Sequence, residues 1–389
     1  MSGKKLVFVS NIMNHYMKPL TEEFVKMYGD EYVFIAMIPF SGKGVSAGFR
    51  DMNQELFVLR SYESPEAERE ARMLIDESEC VIIGGMPVSV VSNRLSQGKL
   101  TFMQSERFFK GPLWKDAVRY VKYRRYSGGR VYAADPRAKF YLLCASGYAA
   151  YDYNMCGLFR DKAYRWAYFP EAKRYSDVDG LLSRKEKATI LWAGRLIDWK
   201  HPDFAVKLAE NLRSQGKDFR VKIVGSGDMQ GELARMIEAK NLSDCVEMIG
   251  ALPFEQVRAE MEKAEIFLFT SDRGEGWGVV LNEAMNSGCA VVAGEKIGSV
   301  PYLLKSGENG MIFRDRSIDD LTEKVSALLD DPERMSELGR NAYRTITGEW
   351  CAEVAARRFV ELAERLRVSD EPVSLWEDGP GSVAPILLR

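Results

Sequence analysis

Two glutamates on either side of a glycine-rich stretch are the residues of this 389-residue chain best suited to chemistry. Glu275 and Glu283 fall in the sequence DRGEGWGVVLNEAM at 272–285, directly after the apolar run 266–269. This order predicts a strand, a glycine loop and a helix, with an anion favoured at the start of the helix. Glu275 would then lie in the loop and Glu283 about two turns into the helix, so that one carboxylate could face a reacting sugar while the other reaches a ribose diol. The alternative is an ordinary strand and amphipathic helix with two solvated acids, which the glycine-aromatic-glycine spacer disfavours.

Three motifs together resemble a known family. The segment 272–285 resembles the E-x7-E motif of retaining glycosyltransferases of family 4, also called glycosyl transferases group 1. WAGRLIDWKHP at 192–202 is similar to the family's Gly-Arg-Leu and Lys segment, and GENG at 307–310 matches another recurring loop. The motifs occur in the family's order, so the resemblance covers about residues 187–350. It implies an α/β chain with the GT-B fold, in which two facing Rossmann-like domains enclose an interdomain cleft.

The resemblance also implies a role for each motif residue. Glu283 would bind the ribose hydroxyls, and Glu275 would contact the donor sugar together with the backbone of 276–278. Arg195 and Lys200 would hold the diphosphate, and Ile249 or its neighbours would contact the base. The expected catalytic residues are Glu275, Arg195 and Lys200, and the expected donor-binding residues are Glu283, Gly276, Trp277, Gly278 and Ile249.

The positive side chains fit the chemistry of such a donor. Breaking a bond between a sugar and a diphosphate moves negative charge onto the leaving phosphate oxygens, which Arg195 and Lys200 could stabilise in place of a divalent metal. In isolation, a surface salt bridge for Arg195 and a solvated charge for Lys200 are the ordinary interpretations. An Asp-x-Asp triplet at 177–179 falls in a presumed linker and is assigned to solvent, so we expect no metal site and no cofactor. Retention could arise if the acceptor hydroxyl attacks the face that the diphosphate leaves and a phosphate oxygen takes its proton.

Alternating strand and helix patterns predict parallel sheets in both halves of the chain, with ligands at the carboxyl ends of the strands. The predicted divisions are an acceptor-side Rossmann-like domain at 1–170, a linker at 171–186, a nucleotide-sugar-binding Rossmann-like domain at 187–350, a C-terminal helix at 351–368 that crosses back to the first domain, and a loosely held irregular tail at 369–389.

Candidate acceptor residues follow strand ends in the first half. Asn14 and His15 lie after the first predicted strand, where His15 could orient an acceptor or contact the donor. Glu106 follows the strand-like run 100–103 and is a candidate acceptor contact or base. A surface histidine and a helix-start carboxylate remain the alternatives. Family members place a histidine near the strand end that Glu106 follows, and this departure leaves the acceptor chemistry open.

A basic and aromatic segment at 107–130 suggests a location for the acceptor. Its cations and rings could lie on an anionic membrane surface. RNA binding is a second interpretation, weakened because the chain has no RNA-binding motif and a net charge of -2. A packed helix with a solvated basic face is a third.

Composition limits the classes of protein and the cellular locations that fit this chain. The chain has 46% hydrophobic residues, an isoelectric point near 6.0 and six scattered cysteines, which are typical of reduced core residues. No apolar run approaches the roughly 20 residues that span a bilayer. We expect a cytoplasmic protein, peripheral on the inner face of the plasma membrane if the basic segment binds lipid.

The resemblance, taken with the charged residues above, implies a metal-independent retaining glycosyltransferase, of the hexosyltransferase type. It would move a sugar from a UDP- or GDP-linked donor to a hydroxyl of a glycan or lipid-linked glycan in cell-surface polysaccharide or glycoconjugate biosynthesis. A GT-B-like nucleotide-sugar epimerase or hydrolase, and a non-catalytic nucleotide-sugar-binding protein, are the alternatives. The base, the sugar, the acceptor, the linkage and the oligomeric state stay open.

Overall fold

The computed structural model of the protein describes residues 3–40, 50–111, 113–126, 130–369 and 371–388. The chain divides into two compact units. Unit 1 comprises Met1–Glu171 and Trp350–Arg389, and unit 2 comprises Ala172–Glu349. Within the described ranges, no helix is both long enough and apolar enough to cross a membrane.

Unit 1 is built on a parallel sheet of seven strands in the order β3-β2-β1-β4-β5-β6-β7. Its apolar strands are buried on both faces by helices, as parallel sheets require. The strands are β1 Leu6–Ser10, β2 Tyr32–Ala36, β3 Val58–Arg60, β4 Cys80–Gly84, β5 Thr101–Ser105, β6 Phe140–Cys144 and β7 Ala163–Arg165. The helices are Lys18–Tyr28, Pro65–Glu77, Ser92–Ser96, Leu113–Tyr126, Arg130–Ala134, Ala149–Met155 and Ala352–Val368.

Unit 2 is built on a parallel sheet of six strands in the order β10-β9-β8-β11-β12-β13. The strands are β8 Glu186–Ala193, β9 Arg220–Val224, β10 Val246–Gly250, β11 Ala264–Phe269, β12 Ala290–Gly294 and β13 Met311–Phe313. The helices are Val178–Ser183, Asp203–Ser214, Gln230–Ala239, Phe254–Lys263, Val280–Asn286, Val300–Leu303, Ile318–Asp330 and Pro332–Gly348. The chain leaves β8 towards one edge of the sheet and later returns to β11 on the other side, so β8 and β11 form the switch point at which such sheets bind ligands.

The helix Asp203–Ser214 shows how the sequence builds the core of unit 2. Its apolar residues recur three and four positions apart, and Phe204, Leu208 and Leu212 are all buried against the sheet. Each such side chain stabilises the fold by about 1.5–3 kcal/mol. The helix follows the loop after β8, so this packing also anchors the loop.

The presumed linker is more ordered than the sequence suggested. Asp177 begins the helix Val178–Ser183, because its Oδ1 accepts a hydrogen bond from the Gly180 amide at 2.7 Å. Asp179 forms an ion pair with Arg340 at 2.7 Å. Both carboxylates of the Asp-x-Asp triplet are exposed, as the assignment to solvent expected, and each also has a protein partner.

The C-terminal helix and the tail both belong to unit 1. The Phe359 ring of the helix packs 5.5 Å from Phe24 and 4.9 Å from Phe102. The tail is irregular, as expected, but it is not loosely held: the Arg165 amide donates to Ser382 O at 2.7 Å, and Ser382 is fully buried. The tail extends the edge of the sheet beside β7, which the polar and proline-containing sequence did not reveal.

Candidate active site

Two loops of unit 2 start side by side because their strands are neighbours. β8 and β11 pair in parallel, with Trp192 opposite Leu268, so both strands end at the same edge of the sheet. The loop after β8 contains one turn of 3₁₀ helix, Asp198–Lys200, and the loop after β11 leads into the helix Val280–Asn286. The predicted order of strand, glycine loop and helix is confirmed.

An ion pair joins the two loops. Lys200 Nζ lies 2.5 Å from Glu275 Oε2, and the two side chains are only 13% and 12% exposed. The Ser271 hydroxyl donates to the same carboxylate oxygen at 3.1 Å. The structure thus brings together two predicted catalytic residues from different motifs, a cation suited to phosphate and a carboxylate suited to a developing positive charge.

A buried hydroxyl holds the backbone behind this ion pair. The Trp192 indole N–H donates to Thr270 Oγ1 at 2.8 Å, and this hydroxyl lies 2.7 Å from Lys200 O and 3.0 Å from His201 O. Thr270 is fully enclosed, so water does not compete for these bonds. This contribution was not predicted from the sequence, although a tryptophan in a strand, which needs an acceptor for its N–H, was the available signal.

Asp272 joins the same two loops at a second point. Its amide donates to Trp199 O at 3.0 Å, and its Oδ1 accepts from the Gly274 amide at 2.7 Å. Its Oδ2 lies 3.0 Å from Arg316 Nη2 and 3.5 Å from His201 Nε2. Burial acts to raise the pKa of Asp272, but these partners outweigh burial and the pKa lies below its usual value. Asp272 is therefore an ionised brace for the glycine loop.

Arg195 is the second predicted phosphate-binding cation, and its surroundings differ from those of Lys200. It follows β8, is exposed, and has no carboxylate partner among the residues described. Its guanidinium carbon lies 5.8 Å from the centre of the Trp199 ring, and Lys200 Nζ lies 4.8 Å from the same ring. Trp199 thus keeps two cations close together, which suits an anion with more than one charged group.

Glu283 lies in the first turn of the helix Val280–Asn286, not about two turns into it. The expected position was wrong because the glycine loop extends to Val279 before the helix begins. Glu283 is 8% exposed. Burial raises the pKa of its carboxyl to about 7, and the positive charge of Arg258 offsets part of this effect. The carboxyl is therefore balanced between its two protonation states near neutral pH.

The side chain of Trp277 is buried in the core and is not available to a ligand. The ring is 1% exposed, and its N–H donates to Asn282 Oδ1 at 2.9 Å, so the indole is part of the core. The prediction of Trp277 as a donor-binding residue can hold only for its main chain. Gly278 has φ +85°, and a Cβ there would lie 2.2 Å from the Phe269 ring, so only glycine fits between the loop and β11. Gly276 connects these residues in the same loop.

Ile249 lies on β10, an edge strand of the sheet. The register of β10 against β9 shifts between Met248 and Gly250, so Ile249 occupies an irregularity of the ladder. It is half-buried. β9 separates β10 from β8, so Ile249 is two strands away from β8, the strand that Arg195 follows.

The third motif has a structural role in unit 2. Asn309 Oδ1 accepts from the Lys305 amide at 2.7 Å, and its Nδ2 donates to Leu303 O and Thr345 Oγ1, both at 2.9 Å. This buried side chain fixes the turn before β13.

Asn14 of unit 1 also has a structural role. Its Oδ1 accepts from the amides of Tyr16 and Met17 at 3.0 and 3.1 Å, which shapes the turn before the helix Lys18–Tyr28. The side-chain oxygen of Asn14 is therefore occupied within the protein.

His15 and Glu106 lie at the two ends of one side-chain cluster. The His15 and Tyr16 rings are 3.7 Å apart, and Tyr16 lies 6.4 Å from Tyr168. The Tyr168 hydroxyl hydrogen-bonds to Glu106, and burial together with this carboxylate raises the pKa of Tyr168 well above its usual value. Burial lowers the pKa of His15 to about 4, so this ring is neutral at physiological pH.

Lys110 completes this cluster, which sequence reasoning located only in part. Its Nζ lies 2.5 Å from Glu106 Oε2. The sequence indicated His15 and Glu106 separately because each follows a strand end. It gave no sign of Tyr168, which lies about 60 residues further along the chain and reaches the cluster only because β7 belongs to the same sheet.

Comparisons with known proteins agree with the fold. Residues 176–345 match the family model "Glycosyl transferases group 1". The solved structure of Alr3699/HepE from Anabaena, in complex with UDP, superposes over 93% of this chain and 100% of its own with a TM-score of 0.64 at 14% identity. The predicted GT-B fold and the resemblance to group 1 glycosyltransferases are confirmed.

Two named relatives match less than half of this chain. The amylovoran biosynthesis glycosyltransferase AmsK of Erwinia amylovora is 29% identical over 182 residues, which are 46% of this chain and 44% of AmsK. A GDP-mannose-dependent phosphatidylinositol monomannoside mannosyltransferase of Corynebacterium glutamicum is 28% identical over 176 residues, 44% of this chain and 45% of that protein. The chain thus spans less than half the length of each relative.

Proposed function

We propose that this protein is a retaining, metal-independent glycosyltransferase whose unit 2 binds a UDP- or GDP-linked sugar. The observation that carries the proposal is the pairing of Lys200 with Glu275 at the ends of β8 and β11, where such sheets bind ligands. The match of residues 176–345 to the group 1 family model and the glycosyltransferases among the relatives support the same reaction class.

Each donor contact follows from the chemistry of the side chains. Lys200 and Arg195 would bind the diphosphate and stabilise the charge that grows on it as the glycosidic bond breaks. Glu275, released from Lys200, would face the oxocarbenium-like carbon. Glu283 would accept hydrogen bonds from the ribose hydroxyls once it is ionised. These cations take the place that a divalent metal has in other nucleotide-sugar sites, which is why we propose metal independence.

Unit 1 would supply the acceptor contacts through the cluster of His15, Tyr16, Tyr168, Glu106 and Lys110. A neutral histidine, two phenolic hydroxyls and a carboxylate can accept and donate hydrogen bonds to sugar hydroxyls. The acceptor would be a glycan or lipid-linked glycan, since AmsK acts in amylovoran biosynthesis and the Corynebacterium relative acts on a phosphatidylinositol mannoside by name. Polysaccharide or glycoconjugate biosynthesis in the cytoplasm is the proposed setting.

The test is to incubate the protein with UDP- and GDP-sugars and oligosaccharide or lipid-linked acceptors, with and without EDTA. We expect sugar transfer that EDTA does not abolish and a new linkage with the anomeric configuration of the donor, read by NMR. An inverted linkage would contradict retention, and loss of transfer in EDTA that added Mg²⁺ restores would contradict metal independence. Release of free sugar or an epimer without transfer would favour the hydrolase or epimerase. Binding without turnover of any donor would favour a non-catalytic protein.

A further inference from the structure

The helix Leu113–Tyr126 of unit 1 presents an apolar stripe to solvent. Trp114, Val118 and Val121 are 66%, 63% and 48% exposed. They are spaced by four and three residues, so they lie along one face of the helix. Grouped exposure of large apolar side chains on one surface marks an interaction site, whereas single exposed residues do not.

Positive charge surrounds this stripe. Lys115 and Arg119 are exposed, and Lys115 Nζ lies 5.2 Å from the centre of the Trp114 ring. The acid of this helix, Asp116, is 4% exposed, accepts a hydrogen bond from the Gly111 amide at 3.2 Å and lies 3.6 Å from Arg119 Nη1, whose side chain is still 47% exposed. The helix sequence LWKDAVRYVKYRRY has five basic residues and one acidic residue, a net +4, whereas the whole chain has a net charge of -2.

The structure shows that only part of the basic aromatic segment predicted at 107–130 is exposed to solvent. Arg107 is 3% exposed, with its guanidinium 4.5 Å from the Tyr148 ring, and Phe109 is 4% exposed. These residues are part of the core. Residues 112 and 127–129, and the side chains of 113, 122–126 and 130, lie outside the described part of the chain. The described surface is therefore the face formed by Trp114, Lys115, Val118, Arg119 and Val121, which we call the helix face.

We propose that the helix face docks on an anionic lipid surface. Trp114, Val118 and Val121 would enter the boundary between headgroups and acyl chains, and Lys115 and Arg119 would lie over the headgroup phosphates. Charge complementarity supports this occupant, because the face has no exposed acid among its described residues. Single-stranded nucleic acid would use the cations and stack on the indole, but it offers nothing that would bury the two valines.

Docking through this face would also position the acceptor cluster. Glu106 and Lys110 lie in the loop that precedes the helix, and the hydrogen bond between Gly111 and Asp116 ties this loop to the first turn. A lipid-linked acceptor would then be held beside the surface in which it is anchored. This consequence rests on the proposed function, whereas lipid binding itself does not.

The test is co-sedimentation of the full chain with vesicles at low and high salt. One set of vesicles contains phosphatidylcholine alone, and the other contains about 30% phosphatidylglycerol, which is anionic. We expect binding to the anionic vesicles that weakens at high salt, because exposed charges are screened. Trp114→Ser combined with Val118→Ser should lower the partition coefficient roughly tenfold or more, since it removes apolar area and leaves every charge in place.

The matched control is Val368→Ser, which changes a valine that is 76% exposed on the C-terminal helix of the same unit. It should bind vesicles like the wild type, and thermal melting should show both variants folded. Nucleotide binding in the absence of vesicles should be unchanged in all variants, so a failure of lipid binding is distinguishable from a failure of the donor site.

Three results would overturn the proposal. The wild type could remain in the supernatant with anionic vesicles at low salt, or the double variant could bind as well as the wild type. In the third result, the wild type does not bind vesicles, and light scattering shows that the wild type is a dimer whereas the double variant is a monomer. The helix face would then be a contact between two copies of the chain.

Discussion

Lys200 Nζ and Glu275 Oε2 lie 2.5 Å apart although 75 residues separate them in the chain. The cation that is expected to bind the diphosphate is thus neutralised by the carboxylate that is expected to face the sugar. An arriving diphosphate would exchange one anionic partner of Lys200 for another, and the same exchange would release Glu275. In the proposed site, binding of the phosphates and placement of the carboxylate would therefore be coupled.

Glu275→Gln should separate these two roles. Without the carboxylate charge, Lys200 is free for phosphate, so the affinity for a nucleoside diphosphate should rise several-fold. Turnover should fall about 10²-fold or more, because a neutral amide stabilises the developing positive charge poorly. Calorimetric titration and initial rates measure the two effects. Glu238→Gln, at an exposed position of the same unit, is the control. Weaker nucleotide binding or near-normal turnover in Glu275→Gln would contradict the assigned role.

Glu283 should make the stability of the ligand-free protein depend on pH. Burial raises the pKa of its carboxyl from 4.5 to about 7. Between these two pH values, the folded state therefore holds a proton that the unfolded state has lost. Its contribution to the free energy of unfolding is fully present below about pH 4.5 and is lost as the pH rises to about 7, with a total of roughly 3 kcal/mol.

Glu283→Gln removes the cost of burying an ionised carboxylate, so this variant should be more stable than the wild type above pH 7. It should also bind nucleotide more weakly. Denaturant unfolding of both proteins between pH 5 and 8 measures the difference. The two curves should diverge steadily as the pH rises, and parallel curves would show that Glu283 is not held in this environment.

Thr270→Val should loosen the backbone that carries Lys200. The change leaves the buried Trp192 N–H without its acceptor, at a cost of about 1–3 kcal/mol in the free energy of unfolding. Turnover should fall about tenfold, because small displacements of a catalytic cation are costly. Thr270→Ser keeps the hydroxyl and is the control. If both variants had the same stability and the same rate, the hydroxyl would have no role in positioning.

Gly278→Ala should destabilise unit 2. The new Cβ would meet the Phe269 ring at 2.2 Å and would also require φ +85°, so we expect a loss of roughly 2–4 kcal/mol. Gly231→Ala is the control, because nothing lies within 4 Å of a Cβ there and the residue is helical. That change should be neutral or stabilise by up to about 1 kcal/mol. Similar melting temperatures for the two variants would contradict the tight fit of Gly278.

The sequence predicted the parts of the site that local pattern encodes. The apolar run before Asp272 and the glycines after it predicted the strand and the loop, and the position of Lys200 after a second strand predicted a cation at the same sheet edge. The start of the helix before Glu283 was misplaced because the glycines predict a loop but do not determine the residue at which the helix begins. The bond between Trp192 and Thr270 depends on strand pairing, which no single segment contains.

The side-chain environment of Trp277 was also beyond sequence reasoning. An aromatic residue between two glycines is compatible with a ligand platform, and only the packing of the ring against its surroundings identifies it as core. The acceptor cluster is similar: His15 and Glu106 followed strand ends, but Tyr168 reaches them through the sheet. The attachment of the tail beside β7 is likewise a tertiary contact.

The most direct test of the donor site is calorimetric titration of UDP, GDP and their sugar conjugates into wild-type protein and Glu283→Gln, all in EDTA. We expect one nucleotide series to bind the wild type in EDTA and to bind the variant at least about tenfold more weakly, since the ribose loses its carboxylate partner. Equal affinity of the two proteins, or binding that disappears in EDTA and returns with Mg²⁺, would contradict it.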